Sequence, residues 1–225
     1  MKQFSLYILL VLIFLGLSKS FSLSEKGTKF ISNEHIYAHH FEGSPLSLIL
    51  LDTFETGFLI KTYFHKYKIV HGFRPSKIKI FRVSASYYKK SNRYLGMSLF
   101  RREELEQIVD TLPLPPGALY IGDRSYGRWQ QDDSGLKKWK FYRAYRDFPN
   151  LFIWGNWKPS LKFYQMMNIF KKNENPYYGL HHQFGRDGSV VTKNYTWAFH
   201  QEAKAIDFIQ YIEKFFNIPT KKVTK

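Results

Sequence analysis

Ser44-Pro45-Leu46-Ser47-Leu48-Ile49-Leu50-Leu51-Asp52-Thr53-Phe54-Glu55-Thr56-Gly57-Phe58-Leu59-Ile60, continuing apolar to Phe64, is the stretch whose reading decides the fold. Serine before proline is a helix-start signal. A helix from Leu46 would place Asp52 and Glu55, three residues apart, on one face. The same residues also fit two buried strands, Ile49–Leu51 and Phe58–Ile60, turning at Glu55-Thr56-Gly57, because a short apolar run carries no periodicity that separates the two. We expect the helix. A carboxyl in apolar surroundings has a raised pKa and can act as a general acid, as glycoside cleavage requires, so Asp52 and Glu55 are catalytic candidates. Their structural alternative is pairing with some of the chain's 34 Lys and Arg residues.

Upstream of that stretch, His35 to Phe41 fits a short strand, and Phe21 to Asn33 is a polar, Ser- and Lys-rich leader. Downstream, Lys77 to Tyr88 reads as a strand with Ile78 and Ile80 on one face and Phe81 and Val83 on the other. Ser98 is an N-cap for a helix from Leu99 to Asp110 with Leu105, Ile108 and Val109 in one stripe. Leu112-Pro113-Leu114-Pro115-Pro116-Gly117 forbids helix and favours an extended connector, and a subdomain boundary is expected there. Beyond it all five tryptophans occur, between Trp129 and Trp197. Ala118–Ile121 and Lys138–Arg146 read as strands, and Ser160 caps a helix running to Lys172. Gly179–Phe184 and Ser189–Thr192 form a hairpin about Gly185-Arg186-Asp187-Gly188. Glu202–Phe216 is a final helix with Ala205, Phe208, Ile209, Ile212 and Phe216 on its apolar face. Gly-x-Trp recurs at Gly127 and Gly155 without matching flanks, so there is no internal repeat.

Separate strands and helices give an α+β fold: a mixed or antiparallel sheet with helices packed on it, in one domain or two tightly joined subdomains. The expected division is 1–20 signal peptide, 21–111 N-terminal α+β part, 112–117 Pro-rich connector, 118–219 aromatic-rich basic α+β part and 220–225 basic tail.

The signal peptide follows from Met1-Lys2-Gln3, the apolar run Phe4–Leu17, and small residues at Ser18 and Ser20 before a cut at Phe21. The apolar run is shorter than the roughly 20 residues that span a bilayer comfortably. Retention as an N-terminal anchor is the alternative; after cleavage no stable transmembrane span is expected. The chain has no cysteine. Disulfides, thiolate metal ligands, a cysteine nucleophile and an acylated N-terminal cysteine are thereby excluded, and an exported protein without disulfides fits a bacterial envelope better than a small eukaryotic ectodomain. Asn194-Tyr195-Thr196 is a glycan acceptor pattern that also arises by chance.

Lys plus Arg number 34 against 18 Asp plus Glu, a net charge of +16. So basic a surface attracts polyanions and repels its own copies, unless the lysines are only a solvated coat. Two segments carry candidate ligand chemistry. In Lys138–Arg146, strand alternation puts Lys138, Lys140, Tyr142 and Arg146 on one face, offering charges for phosphates and a ring for stacking. Trp139, Phe141, Arg143 and Tyr145 face the core. The loop Gly122-Asp123-Arg124-Ser125-Tyr126-Gly127-Arg128-Trp129 follows a predicted strand and can cradle an anion through backbone amides. It lacks a Gly-Lys-Ser/Thr ending, which leaves a nucleotide loop unsupported. Asp123, Arg124, Tyr126, Arg128 and Trp129 are its binding candidates.

His182, Asn194 and His200 outline the strand–strand–helix order of metal-dependent ββα nucleases. The tight Gly-Arg-Asp-Gly turn and the short Asn-to-His spacing depart from that pattern, and adjacent His181 and His182 on a strand face opposite ways. No metal and no cofactor are expected. The sequence thus implies an exported basic binding or structural protein of the cell envelope with an anionic partner: a glycan, lipid head group or nucleic acid. The alternative is a secreted hydrolase of glycan or nucleic acid.

Overall fold

The computed structural model describes residues 2–21, 28–57, 61–72, 74–103 and 109–195. Its elements run α1 (Lys2–Phe21), β1 (Phe30–Ile31), α2 (Tyr37–His40), β2 (Leu46–Thr56), β3 (Thr62–His71), β4 (Arg74–Val83), α3 (Ala85–Ser91), β5 (Ser98–Arg102) and β6 (Val109–Asp110). There follow β7 (Gly127–Gln131), β8 (Lys137–Phe141), α4 (Phe148–Leu151), α5 (Leu161–Lys172) and α6 (Ser189–Asn194). The fold is α+β. Among the described residues a six-stranded sheet has the order β1-β4-β3-β2-β5-β6, and β7 and β8 form a second sheet. All pairs are antiparallel except β1 with β4, which makes the large sheet mixed.

Over Leu46–Thr56 the deciding stretch is strand, not helix, and the alternative second strand at Phe58–Ile60 lies outside the described residues. Leu46, Ser47, Leu48, Ile49, Leu50 and Leu51 are all 0% exposed. Alternate residues of a strand face opposite ways, so this one is buried on both faces. That is why its sequence reads as a continuous apolar run instead of an alternation. A register shift between Leu50 and Asp52 marks a bulge against β3. Before the bulge, Leu48 and Leu50 pair with Ile69 and Tyr67, on the face where Tyr37 and Phe41 of the α2 region meet Phe100.

Other expectations shift with it. Ser98 does not cap a helix: its hydroxyl bonds that of Ser47 at 2.9 Å, and β5 and β6 occupy the ends of the expected 99–110 helix, with 104–108 outside the described residues. The expected strand at 35–41 is a short helical segment, and the expected leader carries β1, whose Ile31 is in the core. The strand predicted to reach Tyr88 stops at Val83, because the hydroxyl of Ser84 accepts the Tyr87 N–H and starts α3. Residues 118–121 are turns, and β8 stops at Phe141, followed by a 3-10 turn over Arg143–Tyr145. The expected hairpin at 179–192 is instead turns leading into α6. Helix α5 forms as expected, capped by the Ser160 hydroxyl at 3.1 Å from the Phe163 nitrogen. The helix expected at 202–216 lies outside the described residues. No helix among the described residues is long and apolar enough to cross a membrane.

The proline-rich segment runs through the interior: Leu114 bridges Ser98, the Pro113 carbonyl accepts the Tyr177 N–H, and the Pro116 carbonyl accepts Trp154 Nε1–H at 3.0 Å. One apolar cluster extends from Ile31 to Tyr195 across it. Truncation inside that cluster should be costly. Leu48→Ala is expected to lose about 2–5 kcal/mol through the cavity it leaves. Ile78→Ala, at a side chain 54% exposed, should change stability by less than about 0.5 kcal/mol. Urea-unfolding midpoints of the two variants check the contrast, and equal midpoints would mean that β2 is not the centre of the core.

Candidate basic face and clefts

The β7–β8 hairpin is where the sequence candidates concentrate. Its register sets Arg128 opposite Lys140, Trp129 opposite Trp139 and Gln130 opposite Lys138. One face is therefore aromatic. Trp129 packs on Trp139 at 5.0 Å and on Tyr164 of α5 at 5.6 Å, and Trp139 is 3% exposed. The other face is wet and cationic, with Arg128 and Lys140 exposed side by side. Like charges directly opposite across an antiparallel pair are destabilising, so this pairing works against the hairpin. Lys138 is differently placed: its ammonium lies 2.5 Å from Asp132, whose carboxylate also accepts the Ser134 and Leu136 N–H groups and closes the turn. The Lys138 ammonium and these hydrogen bonds hold the Asp132 carboxyl well below the usual range.

Tyr142 and Arg146 are exposed beyond the end of β8, and Arg143, expected in the core, is exposed because the strand ends before it. Arg124 is exposed in the preceding loop. Asp123 uses its carboxylate to accept the Ser125 N–H at 2.8 Å. Tyr126 turns inward, with its ring 4.9 Å from those of Tyr120 and Tyr145. The loop is held close to α5: a Cβ on Gly122, whose φ is +88°, would meet the Tyr164 ring at 2.4 Å. Behind it lies a cleft of about 350 Å³ walled by Arg101, Leu119, Asp123, Tyr126, Tyr164 and Lys171. A larger cleft of about 580 Å³, bordered by Glu34, Tyr87, Lys90, Asp110, Lys171 and Glu174, shares Lys171 with it. Arg101, 3% exposed, lies 2.9 Å from the Asp110 carboxylate and donates to the Ser98 carbonyl at 2.9 Å. Burial works to raise the Asp110 carboxyl, but the Arg101 guanidinium outweighs it and holds the group below its ordinary value.

The catalytic candidates do not converge. Asp52 and Glu55, three apart on a strand, point to opposite faces. Burial raises the Asp52 carboxyl against the pull of the Thr53 N–H, Lys66 and Arg186, while Glu55 is paired with Lys61 at 2.5 Å. His182 is exposed at a φ of 51° and stacks on Tyr178. Asn194 ends α6 and donates to the Trp154 carbonyl at 3.1 Å. Neither strand of the ββα outline forms, since 179–188 are turns and bends leading into α6, and His200 lies outside the described residues. Among the described residues no group of three or more His, Asp or Glu is placed to hold a metal ion.

One polar constellation escapes a reading of the sequence. Tyr87, Tyr37, Tyr67, His65 and Ser91 form a buried relay: Tyr37 Oη meets Tyr87 Oη and lies 2.8 Å from Tyr67 Oη, which is 2.7 Å from His65 Nδ1. His65 Nε2 lies 3.0 Å from Ser91 Oγ, and Ser91 donates to the Tyr87 carbonyl at 2.6 Å. With the Ser91 proton on the Tyr87 carbonyl, His65 Nε2 donates to Ser91 and Nδ1 accepts from Tyr67, which accepts from Tyr37, and Tyr37 from Tyr87. The loop ties α2, β3 and α3 together. Its members are scattered over Tyr37–Ser91, and only the strand pairing brings them together.

No protein-family model matches the chain, and no curated protein or solved structure is significantly similar to it.

Burial pushes His65 down to about 3 from 6.5. The unfolded chain thus binds more protons than the folded one between these values, and stability must fall as pH drops through that window. From pH 7 to pH 5 the expected loss is about 2 kcal/mol. His65→Gln should flatten that slope, as read from urea midpoints at the two pH values; an unchanged slope would assign the acid sensitivity to other groups.

Proposed function

We propose that this protein is an exported envelope factor that binds, rather than transforms, an anionic ligand, using the wet face of the β7–β8 hairpin. The observation that carries the reading is the exposed Arg128–Lys140 cross-strand pair, held from behind by Trp139 packed on Trp129, which in turn packs on Tyr164 of α5. Aromatic packing fixes the hairpin, and two adjacent cations present charge at strand spacing, which suits the repeated phosphates or carboxylates of a polymer. Arg124, Tyr142 and Arg146 are exposed on the flanking segments and extend the same chemistry. The hydrolase alternative has less support, since the carboxylates named for it diverge. Export rests on the charged start, the apolar run and the Ser18/Ser20 pair.

Inorganic polyphosphate is the simplest probe, because it carries charge without base, sugar or acyl chain. Binding should weaken as salt rises, and Arg128→Glu with Lys140→Glu should reduce the slope of log affinity against log salt by about 2, one for each phosphate contact removed. Lys172→Glu, on the exposed side of α5, should leave the slope near that of the unmodified chain. Titrations at several salt concentrations decide it; identical slopes for both variants would reduce the hairpin cations to a solvated coat.

Intact-mass measurement of the protein from an envelope fraction should give a chain beginning at Phe21. Recovery of only the full-length chain from cytosol would overturn export.

A further inference from the structure

We propose that the free half of β4 is a docking edge for an extended acidic segment of a partner protein, which joins the sheet as an added strand. β4 is ten residues long, but β1 pairs only with Arg82 and Val83. Among the described residues, Arg74–Ile80 pair with β3 on one side and with no strand on the other. An open edge of this kind presents backbone donors and acceptors at strand spacing, the template on which strand addition works.

The side chains say what would pair there. Ile78 and Ile80 are 54% and 47% exposed, opposite Lys68 and Lys66 on the same face. Lys77 and Lys79, on the alternate face, are exposed as well. No Asp or Glu occurs between Glu55 and Glu103, a span that contains twelve Lys and Arg residues. Lysines and a proline on an edge are the usual guard against pairing with another copy, and Pro75, Lys77 and Lys79 fit that guard. A second copy of this chain would set lysines against lysines. The guard does not account for Ile78 and Ile80, which solvent exposure alone would favour as polar residues. A phosphate polymer would answer the lysines and leave the isoleucines and backbone carbonyls uncovered. A strand alternating carboxylate and apolar side chains answers all three: backbone to backbone, carboxylate to lysine, apolar side chain to isoleucine.

The edge is distinct from the β7–β8 face, so the two readings fail independently. The test uses the full chain and a fluorescein-labelled ten-residue peptide alternating Glu and Val, followed by anisotropy at low and moderate salt. A second peptide of the same sequence is N-methylated throughout, which keeps its charge and removes its backbone donors. The first should bind and weaken with salt, and the second should bind at least tenfold more weakly. Ile78→Ser with Ile80→Ser, both at exposed positions, should weaken the first peptide at least tenfold, while Arg128→Glu with Lys140→Glu leaves it unchanged. Hydrogen exchange of amides in 74–80 should slow in the complex. Equal binding of the two peptides would overturn strand addition and leave charge attraction alone. Absence of binding would overturn the docking edge, and binding of phosphatidylglycerol vesicles in its place would make this a membrane face.

Discussion

Burial of one strand on both faces is the constraint on which the rest of the molecule depends. Leu46 to Leu51 have no wet side, so the chain must build a layer above β2 and another below it. On the face of Leu48 and Leu50 the cover is aromatic: Tyr37, Phe41, Tyr67, Phe81 and Phe100 are in mutual ring contact. Burying the tyrosines there obliges their hydroxyls to find partners, since an unpaired buried hydroxyl costs about 1–3 kcal/mol. The one-way loop through His65 and Ser91 meets that demand without a charge. On the face of Ser47, Arg101 reaches across to the Leu112 carbonyl and to Asp110, and Leu114 closes against Ser98. The proline-rich segment is therefore drawn into the interior by what β2 requires of its second face.

The C-terminal half solves a different problem, that of a core without disulfides. Large rings bury about 150–250 Å² each and prefer edge-to-face contacts, so a few of them can define a unique packing. Phe148 sits against Tyr120, Tyr126, Phe141, Tyr145 and Phe152, and Trp154 joins Phe152 to Trp157. An isolated two-stranded hairpin is at best marginally stable in water. β7 and β8 keep their place because Trp139 packs on Trp129 and Trp129 on Tyr164. The ligand chemistry proposed for the outer face thus depends on the aromatic packing of the inner one.

How much of this was legible follows from which signals are local. The cap at Ser160 is a local event, a hydroxyl and an amide three residues on, and α5 forms where the sequence places it. The alternation of Lys138, Trp139 and Lys140 is equally local and sorts them onto opposite faces. Ser98 carries the same capping chemistry, yet its hydroxyl goes to Ser47, a partner 51 residues away that only sheet register reveals. β2 is illegible for a related reason: a strand buried on both faces has lost the period of two by which strands are recognised. Tyr126 and Trp129 show the limit for the site. Composition marks them as rings among charges, but Trp129 is turned inward by Tyr164 of α5 and Tyr126 by Tyr120, Tyr145 and Phe148, partners that the local sequence does not reveal.

The distribution of carboxylates argues against reading the cations as a uniform coat. Several carboxylates in the described part hold a cation: Asp110 on buried Arg101, Asp132 on Lys138 at the hairpin turn, Glu34 on Lys90, Glu55 on Lys61 and Glu103 on Lys171. A coat serving solubility alone is best built with both signs interspersed, because single-sign fields strain the folded state through self-repulsion. On the Arg128–Lys140 face and along β4 the signs are separated. Arg128 faces Lys140 with no acid between them, and β3 and β4 carry six cations and no carboxylate. The binding role proposed for this protein rests on two surfaces of that kind, one built on an aromatic hairpin and one on an open sheet edge.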